Sequence, residues 1–357
     1  MTIAALFSEP SASVSIDTCN RILTDTGGII FYGQNLKQRD TLNAIQDLSK
    51  EAVSGTQHQQ KFNNQFVIVG QAINLFTIEK IVSVYFSSAT KIIVSPHPLH
   101  QKLGRQAFII ELFADDKTSK LLLNKDVLET ISQAFYIDCF KVSDVSLLTQ
   151  GLLVMDMDST IINMECIDEI ATLVGVGDKV AALTERAMQG ELDFNQSLLA
   201  RVSCLKGISV EELEKLKSRL PINPGFAMTI AILQDHGWKT CIASGGFTYF
   251  ANYLKNTFAL TAAYSNELGI DKQHLSGEVE GDILNAETKR NILLTEKDKA
   301  QIADTQTIAI GDGANDLAMM QAASLGVAYK AKAKVKEQAD ANINFCGFEG
   351  LLYCLQQ

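Results

Sequence analysis

Two clusters of acidic residues each follow a strongly apolar segment, and their spacing suits metal-assisted chemistry on phosphate. Asp156 and Asp158 lie two residues apart after the apolar run 152–155, so both side chains face the same side of an extended strand. The turn 311–316, Gly-Asp-Gly-Ala-Asn-Asp, follows a second such run. Carboxylates that converge in one crevice repel one another unless a divalent cation holds them, and all-oxygen ligation suits Mg²⁺. The two clusters therefore predict a magnesium-dependent site for phosphoryl transfer.

The apolar segments before these clusters predict a parallel β-sheet. A continuous apolar strand is most readily buried in a parallel sheet with helices on both faces, and such sheets bind ligands at the carboxyl ends of their strands. From residue 151 onward, strand-like segments alternate with amphipathic helical patterns. The strand-like segments are residues 152–156, 239–244, 307–312 and 325–329. We therefore expect an α/β fold in which both acidic clusters meet at one edge of the sheet.

Two insertions interrupt this alternation. The first contains helical patterns over residues 166–174, 179–189, 194–205 and 210–219, and it is longer than a crossover helix requires. We expect it to form a helical cap, about residues 163–235, beside the crevice. The second insertion, residues 263–284, shows alternating polarity around Asp271-Lys272-Gln273-His274 and predicts a β-hairpin near the same opening.

The amino-terminal part of the chain has a different pattern. Strand candidates at 65–70, 90–94, 107–113 and 136–141 and helix candidates at 72–86 and 121–135 give the order βαββαβ. That order is typical of an α+β ferredoxin-like domain, an arrangement found in small amino-acid-binding (ACT-like) regulatory modules. We predict such a domain over residues 61–148. Residues 1–60 predict only a turn at 25–28 and a helix at 40–53.

Composition excludes several classes of partner. The chain has 357 residues and a formal net charge of −10, which argues against nucleic-acid or anionic membrane binding because both need a basic surface. Any anionic substrate must then be attracted locally. Seven scattered cysteines without a CxxC pair are typical of reduced thiols, and no apolar run approaches the roughly 18 residues that span a bilayer. We therefore predict a soluble, cytoplasmic protein.

Four segments in a fixed order resemble the signature motifs of the haloacid dehalogenase (HAD) superfamily. They are Asp156-Met157-Asp158-Ser159-Thr160, Ser244-Gly245-Gly246, Lys289 and the turn 311–316. Within that superfamily, residues 165–171, 195–198, 201–202 and 244–247 are similar to the phosphoserine phosphatases. The resemblance covers residues 149–357 and implies a HAD-like Rossmannoid parallel sheet that carries the helical cap and the β-hairpin insertion.

The resemblance implies a catalytic role for several residues. Asp156 would be the nucleophile that forms a phosphoaspartate, and Asp158 would be the general acid and base. Lys289 would supply a fixed positive charge to the phosphoryl oxygens and keep Asp156 ionised. The Ser244 hydroxyl and the Gly245 amide would donate hydrogen bonds to the same oxygens. Gly245 would also allow the backbone to approach closely.

The same resemblance implies the ligands of the metal and the substrate. Mg²⁺ would be held by the carboxylates of Asp156 and Asp312 and by the backbone carbonyl of Asp158, with Asp316 in support. The substrate O-phosphoserine carries an ammonium group and a carboxylate, so its cap needs one anion and one cation. The substrate-binding residues implied are Glu165, Arg201, Ser244, Gly245, Lys289 and Asn315.

Two questions stay open at the level of sequence. The resemblance implies hydrolysis of O-phosphoserine to serine and phosphate, the last step of serine biosynthesis, but the same chemistry serves a HAD phosphatase or phosphotransferase acting on another small phosphate ester. The amino-terminal half could sense an amino acid or pair with a second copy to make a homodimer. The partners expected are a small-molecule substrate and a second copy, with no nucleic acid and no membrane.

Overall fold

The computed structural model describes residues 29–32, 65–89, 91–114 and 122–357. The predicted turn at 25–28 and the predicted helix at 40–53 lie outside these ranges. The chain divides into two compact units. One contains the residues up to Ser143 together with 344–346 and 353–357, and the other contains 144–343 and 347–352.

Within the described residues, the first unit contains an antiparallel sheet and two helices. Its strand order is β1-β3-β4-β2-β5. Each strand and helix predicted within residues 65–141 has a counterpart at nearly the same position. The strands are β1 (Ile29–Tyr32), β2 (Gln65–Gly70), β3 (Lys91–Pro96), β4 (Gln106–Phe113) and β5 (Asp138–Lys141), and the helices are α1 (Leu75–Tyr85) and α2 (Lys125–Phe135).

Side-chain caps and an apolar core position the two helices of this unit. The Oδ1 atom of Asn74 accepts a hydrogen bond from the Thr77 N–H at the start of α1, and Asn124 caps α2 in the same way. Such caps satisfy amide donors that have no partner inside the helix. Phe66 of β2 packs against Phe86, just beyond α1, with ring centroids 5.1 Å apart. The helices therefore cover an apolar face of the sheet.

The second unit is built on a seven-stranded sheet in the order β12-β11-β10-β6-β7-β8-β9. All its pairings are parallel except that of β8 with β9. Every residue of the central strands β6, β10 and β11 is buried, as expected for a parallel sheet covered on both faces. The predicted parallel α/β sheet is confirmed. Its strands are β6 (Leu152–Met155), β7 (Lys239–Phe247), β8 (Ala262–Asp271), β9 (His274–Glu280), β10 (Thr307–Gly311), β11 (Leu325–Tyr329) and β12 (Ala341–Ile343).

The register of the two central strands brings the acidic clusters together. Strand β6 pairs with β10 so that Met155 lies opposite Ile310. The Asp156 N–H then donates a hydrogen bond to the Ile310 carbonyl, with the two atoms 3.0 Å apart. Asp156 and Asp312 therefore leave the sheet side by side.

The long insertion after β6 forms four helices, as predicted. They are α3 (Cys166–Leu173), α4 (Gly177–Met188), α5 (Phe194–Ser203) and α6 (Val210–Lys217). The next helix, α7 (Phe226–Asp235), packs against β7. The remaining helices are α8 (Thr248–Thr257), α9 (Ala286–Lys299), α10 (Leu317–Ala322), α11 (Ala333–Gln338) and α12 (Gly350–Tyr353).

The second insertion forms the predicted hairpin. Strands β8 and β9 are antiparallel, and Lys272 and Gln273 connect them with φ angles of 48° and 66°. Two positive φ values in a two-residue loop match the twist of the flanking strands. Within the described ranges, no helix combines the length and the apolar character needed to cross a membrane.

Candidate active site

A buried lysine lies between two carboxylates at the edge of the sheet. The Lys289 Nζ is 2.9 Å from the Oδ1 of Asp156 and 2.7 Å from the Oδ1 of Asp316. The Met157 N–H also donates to the Asp156 Oδ1, at 2.8 Å. Lys289 lies near the start of α9, where the Asn285 side chain caps the helix by accepting from the Thr288 N–H. The capped start of α9 therefore fixes the position from which the Lys289 ammonium contacts Asp156.

The charge of Lys289 is retained despite its burial. Burial by itself lowers the pKa of this ammonium, but the charges of Asp156 and Asp316, and hydrogen bonds to both, raise it above its ordinary value. A buried charge is costly unless it is paired and hydrogen-bonded. The second oxygen of Asp316 accepts from the Gly313 N–H at 3.0 Å. Both oxygens of Asp316 are therefore engaged, which makes it a support for Lys289.

Three carboxylates of the site lie close to one another. Oxygen atoms of Asp156, Asp312 and Asp316 lie within 4.8 Å of one another. Burial raises the pKa of Asp312 to about 7, and the charges of Asp156 and Glu165 act in the same direction, against a hydrogen bond from the Thr160 hydroxyl. Carboxylates this close favour either a proton or a cation between them.

The donor set fits a hard divalent cation. Of these three carboxylates, Asp316 has both oxygens engaged, whereas Asp156 and Asp312 are engaged through Oδ1 and can offer Oδ2 to a metal. Carboxylate oxygens are the ligands that such cations prefer, and a cation would relieve the repulsion that raises the pKa of Asp312. The predicted metal residues thus come together, with Asp158 following directly on the same strand end.

Asp158 has the properties of a proton donor. Its Oδ1 is inaccessible and has no hydrogen-bond partner among the described residues. Burial raises the pKa of Asp158 well above its usual range, and the charge of Glu165 adds to this, although hydrogen bonds from the Cys166 thiol and N–H oppose it. A carboxyl group that keeps its proton near neutral pH can act as a general acid.

The segment at the end of β7 forms a loop that is fixed from two sides. The Ser244 Oγ accepts from the Gly246 N–H at 3.0 Å. The Asn266 amide nitrogen donates to the Gly245 carbonyl at 2.7 Å, and its Oδ1 accepts from the Leu284 N–H at 2.7 Å. Asn266, which is buried, therefore ties the loop to the segment that leads into α9.

Both glycines of this loop are packed tightly. A Cβ atom at Gly246 would lie 2.8 Å from the Asp158 Oδ2 and 2.7 Å from the Met157 Cε, whereas one at Gly245 would meet the Phe194 ring at 3.2 Å. Sequence analysis assigned the close approach to Gly245 and missed the tighter position at Gly246. The signal was available, because two successive glycines after Ser244 indicate that neither site tolerates a side chain.

The cap and the sheet edge share one cavity of about 520 Å³. Glu165, which precedes α3, accepts a hydrogen bond from the Ser159 hydroxyl at 2.8 Å. Ser159, three residues after Asp156, has a φ of 57°, an uncommon conformation for a residue other than glycine. Arg201 of α5 donates from Nε to the Ser197 carbonyl at 3.4 Å. One anion and one cation of the cap therefore line the same cavity as Asp156.

The structure brings the predicted site residues together. Lys289 contacts Asp156 through its ion pair and is not part of the cavity lining. The predicted residues that line the cavity are Asp156, Asp158, Glu165, Arg201, Ser244, Gly245, Asp312 and Asn315. Residues that sequence analysis missed are Thr160, Asn266 and Lys332. Asn266 gave a weak signal as a polar residue in a strand, and Lys332 gave one as part of a lysine-rich segment after β11.

A cluster of three side chains joins the cap to the sheet layer. The Tyr249 hydroxyl at the start of α8 donates to the Glu214 Oε2 of α6. The Lys217 Nζ is 2.6 Å from the same oxygen and 4.9 Å from the centroid of the Tyr249 ring. We call Glu214, Lys217 and Tyr249 the cap latch. It connects α6 to the helix that follows the Ser244 loop.

Comparison with known proteins identifies the family. Residues 151–324 match the haloacid dehalogenase-like hydrolase family. A phosphoserine phosphatase of Vibrio cholerae is 50% identical over 228 residues, which cover 64% of this chain and 70% of that protein. A crystal structure of a probable phosphoserine phosphatase from Vibrio cholerae, in unliganded form, aligns with a TM-score of 0.69 and 38% identity over 83% of this chain and 88% of that one.

A second solved structure is similar over the whole of its own chain. It is described as a phospho-aspartyl intermediate analogue of phosphoserine phosphatase, and it aligns with a TM-score of 0.55 and 38% identity over 58% of this chain and 100% of that chain. The ordered motifs, the capped parallel sheet and these relatives agree. The chain belongs to the phosphoserine phosphatase family of haloacid dehalogenase-like hydrolases.

Proposed function

We propose that this protein hydrolyses O-phosphoserine to serine and inorganic phosphate, the last step of serine biosynthesis. The observation that carries the proposal is a single cavity in which Asp156 faces a cap that contributes Glu165 and Arg201. A phosphorylated amino acid needs this combination of a phosphoryl-transfer centre with one anion and one cation. The names of the relatives described above support the same substrate.

The first step would be transfer of the phosphoryl group to the enzyme. A carboxylate oxygen of Asp156 attacks phosphorus, the bond from phosphorus to the serine oxygen breaks, and Asp158 gives its proton to that oxygen. Lys289, the Ser244 hydroxyl and the Gly245 N–H stabilise charge on the phosphoryl oxygens. Serine leaves, and Asp156 carries the phosphate.

The second step would be hydrolysis of the phosphoaspartate. The Asp158 carboxylate takes a proton from water while the water oxygen attacks phosphorus, and the bond from phosphorus to the Asp156 oxygen breaks. Asp158 is protonated again and Asp156 is regenerated as a carboxylate. The raised pKa of Asp158 and its place beside Asp156 support its use in both directions.

We propose Mg²⁺ as the cofactor, held by the carboxylates of Asp156 and Asp312 and by the backbone carbonyl of Asp158. Mg²⁺ supplies positive charge that neutralises the transferring phosphoryl group. The oxygen-only donor set and the crowding of the three carboxylates support this choice. Asp316 holds Lys289 in place through its ion pair.

Substrate selection would come from the cap. Glu165 pairs with the substrate ammonium, and the planar guanidinium of Arg201 binds the substrate carboxylate. Asn315, in the turn that carries Asp312, contacts the substrate from the sheet side. The two cap residues line the cavity without a direct ion pair between them, which leaves both able to bind substrate.

For the first unit we propose a ferredoxin-like, ACT-like regulatory domain over residues 61–148, which binds an amino acid or pairs with a second copy. Its βαββαβ element order and antiparallel sheet support this. We further propose a phosphatase domain over 149–357 with a cap made of α3 to α6. This cap ends before α7, short of the predicted residue 235, because α7 packs against β7. Cytoplasmic location stays a prediction.

The test is phosphate release from O-phosphoserine by the full chain, with and without EDTA. We expect turnover that EDTA abolishes and added Mg²⁺ restores. A panel of phosphate esters measured by kcat/KM decides between O-phosphoserine and another small ester, and transfer of phosphate to an added alcohol would identify a phosphotransferase. A higher kcat/KM for an ester without an amino acid group would reject the proposed substrate.

A further inference from the structure

A lysine-rich segment lies at the rim of the active-site cavity. Residues 330–336 have the sequence Lys-Ala-Lys-Ala-Lys-Val-Lys, directly after β11. Lys332 lines the cavity that contains Asp156 and Asn315. The fold explains the placement, because β11 runs parallel to β10 with Gly311 opposite Ala328, so both strands end at the same edge. The segment after β11 thus comes next to the acidic turn after β10.

The cavity presents an electrostatic difficulty for its own substrate. Its lining contains four acidic residues, Asp156, Asp158, Glu165 and Asp312, of which Asp158 keeps its proton, and the whole chain has a formal net charge of −10. A phosphate monoester is a dianion near neutral pH, because the second pKa of a phosphate ester is about 6. Approach of such a substrate is therefore opposed until it reaches the cations of the site.

Besides the proposed metal ion, which would lie deep in the cavity at Asp156 and Asp312, few cationic side chains can attract the substrate. Lys289 is buried and already paired with two carboxylates, so its field outside the site is largely cancelled. Among the described residues that line the cavity, the cationic side chains are Arg201 and Lys332. The resemblance to the family reserves Arg201 for the substrate carboxylate. Lys332, which is exposed, can turn its ammonium towards an incoming phosphate.

We propose that Lys332 captures the phosphate dianion at the cavity mouth and guides it towards Asp156. The inference rests on the proposed function only in taking the substrate to be a phosphate ester. Charge at a cavity mouth raises the local concentration of an oppositely charged ligand, and salt screens the effect. Lys332 does not touch the reacting atoms, so its contribution belongs to kcat/KM and its salt dependence rather than to kcat.

The chain offers a matched control. Lys334 is also exposed, carries the same charge and lies two residues further along the same segment, but it is not part of the cavity lining. If the lysines act only by reducing the negative charge of the protein as a whole, substitutions at 332 and 334 will have equal effects. If Lys332 acts through its place at the mouth, the effects will differ.

The experiment compares Lys332→Glu, Lys332→Gln and Lys332→Arg with Lys334→Glu in the full chain with Mg²⁺ present. At an ionic strength of about 0.01 M we expect Lys332→Glu to lower kcat/KM for O-phosphoserine about tenfold, and Lys334→Glu about twofold or less. Lys332→Gln should lie between, and Lys332→Arg should keep the wild-type value. At about 1 M salt the variants should converge, and kcat should change less than about twofold throughout.

Equal losses at positions 332 and 334, a loss that persists at high salt, or a loss in kcat would each overturn the proposal. A second readout separates it from the proposed function. Inorganic phosphate binds by the same anionic group, so calorimetry should show weaker phosphate binding by Lys332→Glu than by Lys334→Glu at low salt. Failure of wild-type turnover of O-phosphoserine would reject the substrate alone, whereas equal phosphate affinities would reject the role of Lys332.

Discussion

The two sides of the active-site cavity differ in how firmly their side chains are held. On the sheet side, Asp156, Lys289, Asp316 and Ser244 are buried, and their hydrogen bonds and ion pairs are short. On the cap side, Glu165 is exposed and accepts a hydrogen bond from the Ser159 hydroxyl, and Arg201 is half-buried, with a hydrogen bond of 3.4 Å from its Nε. The groups proposed for the chemistry are therefore buried and paired, whereas those proposed for substrate selection are more accessible to solvent. Substitutions on the two sides should consequently fail in different ways.

The strongest test of the sheet side is Asp156→Asn. This change removes the proposed nucleophile with little change in shape, so we expect kcat to fall about a thousandfold or more. Rapid acid quenching of the wild type should trap an acid-stable, hydroxylamine-sensitive aspartyl phosphate that the variant lacks. Undiminished turnover by the variant would contradict the assignment of the nucleophile.

Lys289→Met should damage both activity and folding. It leaves the carboxylates of Asp156 and Asp316 buried without their cation, which typically costs about 3 to 5 kcal/mol of unfolding free energy. We expect kcat to fall about a hundredfold or more as well, since a preorganised charge is lost. Urea unfolding and steady-state kinetics measure the two effects.

The neighbouring residue supplies the control for this variant. Arg290 is half-buried and pairs with the exposed Glu287 at the surface. Arg290→Met should therefore cost less than about 1 kcal/mol and leave kcat unchanged. Similar losses in the two variants would show that α9, rather than the charge of Lys289, is the sensitive feature.

Removal of the metal should make stability depend on pH through Asp312. The pKa of Asp312 in the folded protein is raised to about 7 from an ordinary value of 3.8, so the folded state binds the proton more tightly than the unfolded state. The contribution of Asp312 to the stability of the metal-free protein should therefore be fully present below about pH 4. It should be lost as the pH rises towards 7.

Thermal unfolding of the protein in EDTA measures this dependence. Over the range from pH 5 to 7.5 we expect Tm to fall by about 5 °C, and Mg²⁺ to restore it at pH 7.5 more than at pH 5. Asp312→Asn should reduce the slope because one titrating group is gone. The slope that remains comes from Asp158, Glu165 and Asp316, whose pKa values are also raised by burial. A variant with the same slope as the wild type would assign the pH dependence elsewhere.

On the cap side, Arg201→Ala should change substrate choice rather than chemistry. It removes the proposed partner of the substrate carboxylate, which should weaken the binding of O-phosphoserine by about 2 to 4 kcal/mol. The KM for O-phosphoserine should therefore rise about thirtyfold to a thousandfold. A small phosphate ester without a carboxylate should be little affected. Equal increases for both substrates would contradict the assignment of Arg201.

The smallest effect is expected at the cap latch. Tyr249→Phe keeps the ring beneath Lys217 and removes only the hydroxyl that donates to Glu214. Since the latch lies at the surface, we expect KM to rise about twofold to threefold with kcat nearly constant. Tyr253→Phe is the control, because the ring of Tyr253 also lies near the Lys217 ammonium, at 5.6 Å.

Sequence alone placed the sheet side of the site accurately. Two local rules predicted that the two acidic clusters converge, namely that alternate residues share a face of a strand and that parallel sheets bind ligands at their carboxyl ends. Asp156 and Asp312 followed from these rules before any geometry was known. The places of Ser244 and Lys289 were expected only from the resemblance to the haloacid dehalogenase superfamily. The helices α3 to α6 and the hairpin of β8 and β9 were also predicted, because their periodicity is strong.

The contacts between distant segments were not predictable in the same way. The tight packing of Gly246 depends on where Asp158 and Met157 lie in space, and the two hydrogen bonds of Asn266 depend on strands and loops that are far apart in the chain. The cap end proposed from the structure differs from the predicted residue 235, because α7 has an ordinary helical pattern in the sequence and its packing on β7 becomes visible only in the fold.

The bridging role of Asn266 has a consequence for protein engineering. Its amide must donate on one side and accept on the other, so neither aspartate, which lacks the donor, nor leucine, which lacks both, can replace it. Transfer of residues 244–246 to another scaffold would therefore also require Asn266 and the segment around Leu284 that leads into α9. The transferable unit is three separate pieces of polypeptide, not a short motif.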